Sequence, residues 1–192
     1  MGRESKTKYI ILGLLSIRPQ SGYDIKQNIM RSTNNFWRES YGQIYPTLAE
    51  LLQKGCVSCS TKQCTGARKR KVYKITKKGM QILKEWLPKS PEPTVQRNEL
   101  LLKLFFGQNV SSDVFIKHIE LWRLQTEDTL QYLHEIEEHI KTEHGDWAEQ
   151  PYWMMTIKRS RMHVQTELEW CDDTLKILHK LKKKEKRKGK NK

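Results

Sequence analysis

Ser40-Tyr-Gly-Gln-Ile-Tyr-Pro-Thr-Leu-Ala-Glu-Leu-Leu-Gln-Lys-Gly55 reads as a short helix with a start, a buried face and a stop. Ser40 is placed to cap the first free amides, and Gln43, three residues on, to reach back to the N–H of the cap residue. Ile44, Leu48, Leu51 and Leu52 recur at helical spacing and make one apolar stripe. Gly55 ends the helix, because a left-handed residue there costs glycine almost nothing. The stripe leaves Tyr41, Gln43, Tyr45, Thr47 and Glu50 facing outward, and all but Glu50 are uncharged hydrogen-bonding groups. Such a face suits base edges and phosphates, although an ordinary amphipathic surface helix shows the same pattern. Pro46 is comfortable only in a first turn, so the helix is expected to open irregularly over residues 41–44.

Working outward from this stretch, residues 7–17 carry Tyr9, Ile10, Ile11, Leu14 and Leu15, a strongly apolar first helix that the breaker cluster Arg18-Pro19-Gln20-Ser21-Gly22 ends. Ser21 or Gly22 opens a second helix, from Tyr23 to about Arg31, with Tyr23, Ile25 and Ile29 inward and Asp24 in the favourable first turn. Beyond Gly55 the period becomes alternating. Two short strands, around Val57 and over residues 71–76, flank the basic, glycine-containing loop of residues 61–70. Thr76 caps a further helix that carries Gly79, Ile82, Leu83 and Leu87.

Helix, helix, helix, basic hairpin, helix is the order of a winged helix-turn-helix module. Tyr9-Ile-Ile-Leu-Gly-Leu-Leu15, Ser21-Gly-Tyr-Asp-Ile25, Gly42-Gln-Ile-Tyr-Pro-Thr-Leu48, Leu52-Gln-Lys-Gly55 and Lys71-Val-Tyr-Lys-Ile-Thr-Lys-Lys-Gly79, in that order, resemble the PadR family of transcriptional regulators. The resemblance covers nearly all of residues 7–87. The chain departs from the family pattern at Gly55-Cys56-Val57-Ser58-Cys59, where cysteine stands at positions that are usually aliphatic, and again at Cys64.

The net charge of +14 is unevenly spread over the 192 residues. Residues 1–90 hold 18 Lys and Arg against 5 Asp and Glu, a net +13; residues 91–181 hold 10 against 16, a net −6; residues 182–192 hold 8 against 1, a net +7. A basic module and a basic tail separated by an acidic middle point to a polyanion as partner. The apolar run at residues 9–17 is too short to span a bilayer and lacks a small-residue cleavage site, so the chain is expected in the cytoplasm, away from membranes, with its four cysteines as thiols.

Prolines mark residues 88–96 as a linker. A short apolar helix follows at residues 99–106, then two long helical stretches at about residues 111–142 and 151–184, the first capped by Ser111 or Ser112. Two long helices paired only with each other bury too little to be stable, which implies a partner surface. This half resembles the virulence-activator-like carboxy-terminal domain of the longer PadR proteins, in which such helices form the dimer. The fold expected is thus mainly α: a winged helix-turn-helix domain (residues 1–87), a linker (88–96), a long-helix dimerisation domain (97–184) and a basic disordered tail (185–192). That tail suits non-specific affinity for DNA and a merely solubilising role equally.

On this reading Tyr41, Gln43, Tyr45 and Thr47 face the major groove, while Lys62, Arg68, Lys69, Arg70 and Lys71 lie along phosphates or enter the minor groove. Four consecutive cations repel one another unless an anion neutralises them. Trp122, Trp147, Tyr152 and Trp153 are candidates for the cavity of a planar aromatic small-molecule effector, which the family resemblance invites; packing of a dimer core accounts for the same aromatics. Cys56, Cys59 and Cys64 offer three thiols and no histidine, short of a zinc set, and no cofactor is implied. Nucleophile–base pairs, paired carboxylates and phosphate loops are missing, so no catalytic residue is assigned. The function expected is a sequence-specific DNA-binding regulator, a repressor on a pseudo-palindromic operator as a homodimer. The alternative is a protein-interaction scaffold built on the same module, which has no need of four cations in a row.

Overall fold

The structure is a computed structural model that describes residues 6–33, 36–37, 41–63, 69–93 and 97–190. The chain divides into two compact units that meet between Pro93 and Thr94.

In the first unit, α1 (Thr7–Ile17), α2 (Gly22–Ser32), α3 (Ile44–Gln53) and α4 (Lys77–Trp86) enclose one core. Ile11, Leu12, Leu15, Ile25, Ile29, Ile44, Leu48, Leu51, Val57 and Leu83 are all buried there, and the Tyr9 and Trp86 rings stack 4.4 Å apart at its edge. Strands β2 (Val57–Gln63) and β3 (Lys69–Ile75) pair antiparallel with Val57 opposite Ile75 and Gln63 opposite Lys69. A third strand, β1 (Gln20–Ser21), adds to the other edge of β3, giving the order β1-β3-β2. Its two residues lie within the breaker cluster, where the sequence gives no alternation to read. Gln20 is buried at no polar cost, since its side chain donates to the Leu14 carbonyl at 2.8 Å and accepts from Asn28 at 2.6 Å.

The helix ends follow the local chemistry. Ser21 and Asp24 form a reciprocal capping box on α2, and the Thr76 hydroxyl accepts the Gly79 N–H on α4. Gly55 takes a left-handed φ of 68°, as expected of a helix stop. Ahead of α3 the chain runs through a 3-10 turn, Tyr41–Gln43, which is the irregular opening that Pro46 demands. Ser40 lies outside the described residues, and with it the expected bond from Gln43; as the cap of α3 itself, Gln43 makes no side-chain hydrogen bond to the helix. Two inward assignments are corrected. Tyr23 is 59% exposed, because it sits about 200° around α2 from Ile25, and Leu52 is 41% exposed at the edge of the α3 stripe.

The second unit is a helical hairpin with a short helix laid on it. α5 (Glu99–Phe105) precedes α6 (Ser112–Glu143) and α7 (Gln150–Lys190), which run antiparallel. Phe115, Ile116, Ile119, Cys171 and Leu178 make the core, and Leu100 and Leu104 of α5 pack on it. α7 continues to Lys190, so the residues expected to be a disordered tail are mostly helical. The reason is local: lysine, arginine and glutamate are good helix formers, cations suit a helix carboxy end, and Glu185 accepts from the Ser112 hydroxyl at 2.9 Å.

Candidate nucleic-acid interface

α3 presents the first half of the site. Burial of Ile44, Leu48 and Leu51 fixes its rotation, which turns Gln43, Tyr45 and Glu50 to solvent and leaves Thr47 half-buried. Tyr45 is 54% exposed, yet one edge of its ring is pressed against α2: a Cβ at Gly22 would lie 2.8 Å from its Cε1. A side chain at position 22 would make the Tyr45 ring shift. For Tyr41 the structure gives the backbone turn alone. Glu50, at the far end, is held by Lys54 through an i,i+4 ion pair of 2.5 Å, which keeps its carboxyl below the usual range.

The wing is the second half. β1 ties β3 to the start of α2 through the pairs Gln20 with Tyr73 and Ser21 with Val72. That register brings Arg70 to Asp24, whose carboxylate accepts from the guanidinium at 2.6 Å and from the Ser21 hydroxyl at 2.8 Å. Burial alone would raise the Asp24 pKa, but the Ser21 hydrogen bonds and the Arg70 charge outweigh it and hold the carboxyl below its ordinary value. Arg70 is therefore engaged within the unit, as a strut that fixes the wing against α2. Lys71 points to the opposite face of β3 and is exposed, as is Lys74, which the sequence reading did not single out. Lys62 and Lys69 lie on the strands, with only their backbone described, and Arg68 and Cys64 fall outside the described residues. Tyr73 shares the Lys71 face; burial first, and then the neighbouring Cys59 and Tyr45, raise its pKa. Asp24 could be found in the sequence as a helix-capping acid, but its role on the wing needs the strand register.

Of the three thiols, Cys56 and Cys59 are described, and they lie in different surroundings. Cys56 is buried in the core with its Sγ 3.8 Å from the Lys54 carbonyl, and Cys59 is half-buried on β2 opposite Tyr73. The aromatic set divides as well. Trp147 and Trp153 gather around His144 where α6 gives way to α7, with ring centroids 4.4 Å and 5.7 Å from the imidazole. Tyr152 beside them is 69% exposed. Trp122 lies about 30 Å back along α6 and donates its indole N–H to Glu167 at 2.8 Å. The four residues do not line one cavity. The His144 Nδ1 atom is buried and finds no hydrogen-bond partner among the described residues.

Among the described residues no helix is long and apolar enough to cross a membrane. Residues 11–85 match the transcriptional regulator PadR-like family, and residues 96–179 match the virulence activator alpha carboxy-terminal family. The negative transcriptional regulator PadR of Bacillus subtilis is 34% identical over 113 residues, a match that takes in 56% of this chain and spans 62% of the length of that relative. The crystal structure of Bacillus subtilis PadR in complex with operator DNA superposes with a TM-score of 0.82 at 24% identity, covering 92% of this chain and 99% of that one. The same protein in complex with p-coumaric acid gives 0.72 at 25% identity, with 91% and 99% covered. With a winged helix-turn-helix unit matching the first model and a long-helix unit matching the second, the chain belongs to the PadR-like family of transcriptional regulators.

Proposed function

We propose that this regulator binds double-stranded DNA through α3 and the β2–β3 wing, occupies a pseudo-palindromic operator as a homodimer, and represses by covering a promoter. The observation that carries this is the pairing of an exposed, uncharged polar face on α3 with a cationic wing that Arg70 and Asp24 brace. Gln43 and Tyr45, with Tyr41 and Thr47 beside them, take the major groove, where glutamine pairs bidentately with adenine. Lys71 takes phosphate with Lys62, Arg68 and Lys69, and Arg70 holds the wing in register. Homodimerisation is supported by the apolar side chains that unit two leaves in solvent, among them Leu102, Phe105, Leu121 and Leu124, which a second copy would cover. The place of work is then the cytoplasm.

An aromatic acid is the effector class that fits. His144, with its unpaired buried nitrogen between Trp147 and Trp153, supplies a stacking surface and a polar handle. Such a ligand acts only if it binds two arrangements of the dimer with different affinity.

The experiment is fluorescence anisotropy with labelled DNA from upstream of the gene, against scrambled DNA of equal length, over a salt series. Tight binding to the upstream duplex alone, weakening steeply with salt, is expected; equal weak binding to both would overturn sequence-specific regulation. Gln43→Ala is expected to relax sequence preference, and uniform losses on all duplexes would remove it from base reading.

A further inference from the structure

The last turns of α7 have two unlike faces. Leu178, Lys182 and Glu185, at i, i+4 and i+7, face α6: Leu178 is buried, Lys182 pairs with Asp113, and Glu185 takes the Ser112 backbone N–H and hydroxyl. Lys180, Lys183, Lys184 and Arg187, at i, i+3, i+4 and i+7, fall on the other side, and all four are exposed. The one acidic residue of the segment 182–192, Glu185, is exposed but is engaged by Ser112 on the α6 side, away from these four.

We propose that this outward face, Lys180, Lys183, Lys184 and Arg187, is a second nucleic-acid contact that lies along duplex phosphates and adds sequence-independent affinity; it rests on the DNA-binding reading of the first unit. A disordered tail spreads its charges, whereas the helix holds these four within about 10 Å along its axis, a length over which duplex DNA carries about six phosphates. Rigid cations at that density repel one another, and a regular row of phosphates relieves the repulsion. A lipid surface suits the face less well. Helices that lie in a membrane interface need an apolar side, and no apolar residue follows Leu181.

The test uses the full chain with Lys180, Lys183, Lys184 and Arg187 all changed to Gln, which keeps helix propensity. Anisotropy over a salt series is read on upstream and scrambled duplexes. Affinity is expected to fall about tenfold on both, with their ratio unchanged, and the slope of log affinity against log salt to flatten by about 2–4. A second variant with arginine at 180, 183 and 184 is expected to bind as wild type; if it loses affinity as the glutamine variant does, the loss comes from the fold and the proposal falls. Wild-type affinity and slope in the glutamine variant would overturn the α7 contact alone. A wild-type chain that binds neither duplex would overturn the reading of the first unit along with it. Flotation with phosphatidylglycerol vesicles that the glutamine variant abolishes, while DNA binding stays intact, would transfer the face to lipid.

Discussion

Gly79 is the residue with the least room to change. A Cβ there would lie 2.1 Å from the Cys56 carbonyl oxygen, which already accepts the Thr76 N–H at 3.1 Å. Gly79→Ala must push α4 off the hairpin root and is expected to cost roughly 2 kcal/mol in urea unfolding. Asp24 makes a pH-dependent contribution. Its carboxyl is depressed below the ordinary 3.8, so the stability it lends is complete well above that value and drains as pH falls through and below it. Its partly exposed position keeps the effect under about 1 kcal/mol, and Asp24→Asn should remove that step from the acid limb of the stability curve. Thiol reactivity should follow burial. Burial, with help from Glu167 and Asp172, pushes the Cys171 thiol up to about 11. Alkylation mapped by mass spectrometry should mark half-buried Cys59 in the native chain, and Cys56 and Cys171 only on unfolding. The sequence left Cys56 ambiguous, since a buried small residue and a reactive thiol are the same letter. Tyr23 was misassigned for a reason visible in the helical wheel: it cannot share a face with Ile25 two positions on.

Among the elements, those with a strong apolar period were legible. α1, α3 and α4 carry periodicity together with a breaker or a cap, and each lies where that combination put it. β1 was not, because two residues between Pro19 and Gly22 acquire strand geometry only by pairing with β3, some fifty positions on. The end of α7 was misread for the opposite reason. Composition alone suggests a solvated tail, while the helix makes contacts with Asp113 and Ser112 at the start of α6 that composition does not reveal. Of the interface, the α3 face could be drawn from spacing, but the bracing of Arg70 could not, since it depends on a register that the basic loop does not encode. Glu185→Ala should therefore speed amide hydrogen exchange over the last turns of α7 and leave α1–α4 unchanged; equal protection in the variant would show that helix propensity alone holds the end.

At the level of the molecule, the chain splits into two compact units close to where its charge changes sign, and the proposed division of labour follows that split. The piece covering residues 1–93 contains its whole core and should fold as a monomer, while the full chain should elute and scatter light at twice its chain mass. A 1–93 piece that dimerises would misplace the interface. Leu121→Asp with Leu124→Asp should yield a folded monomer if these side chains lie between copies. The clasp between Ser112 and Glu185 also sets a clock. Its partners stand 73 residues apart, against 46 for the Arg70–Asp24 strut. On the ribosome, at about 5–20 residues per second, the start of α6 waits roughly 4 to 15 s for α7 to arrive, long after the first unit has closed. During that interval the apolar side of α6 is open to any other nascent chain, so the dimer proposed above would form most readily on a polysome, between neighbours made from the same message.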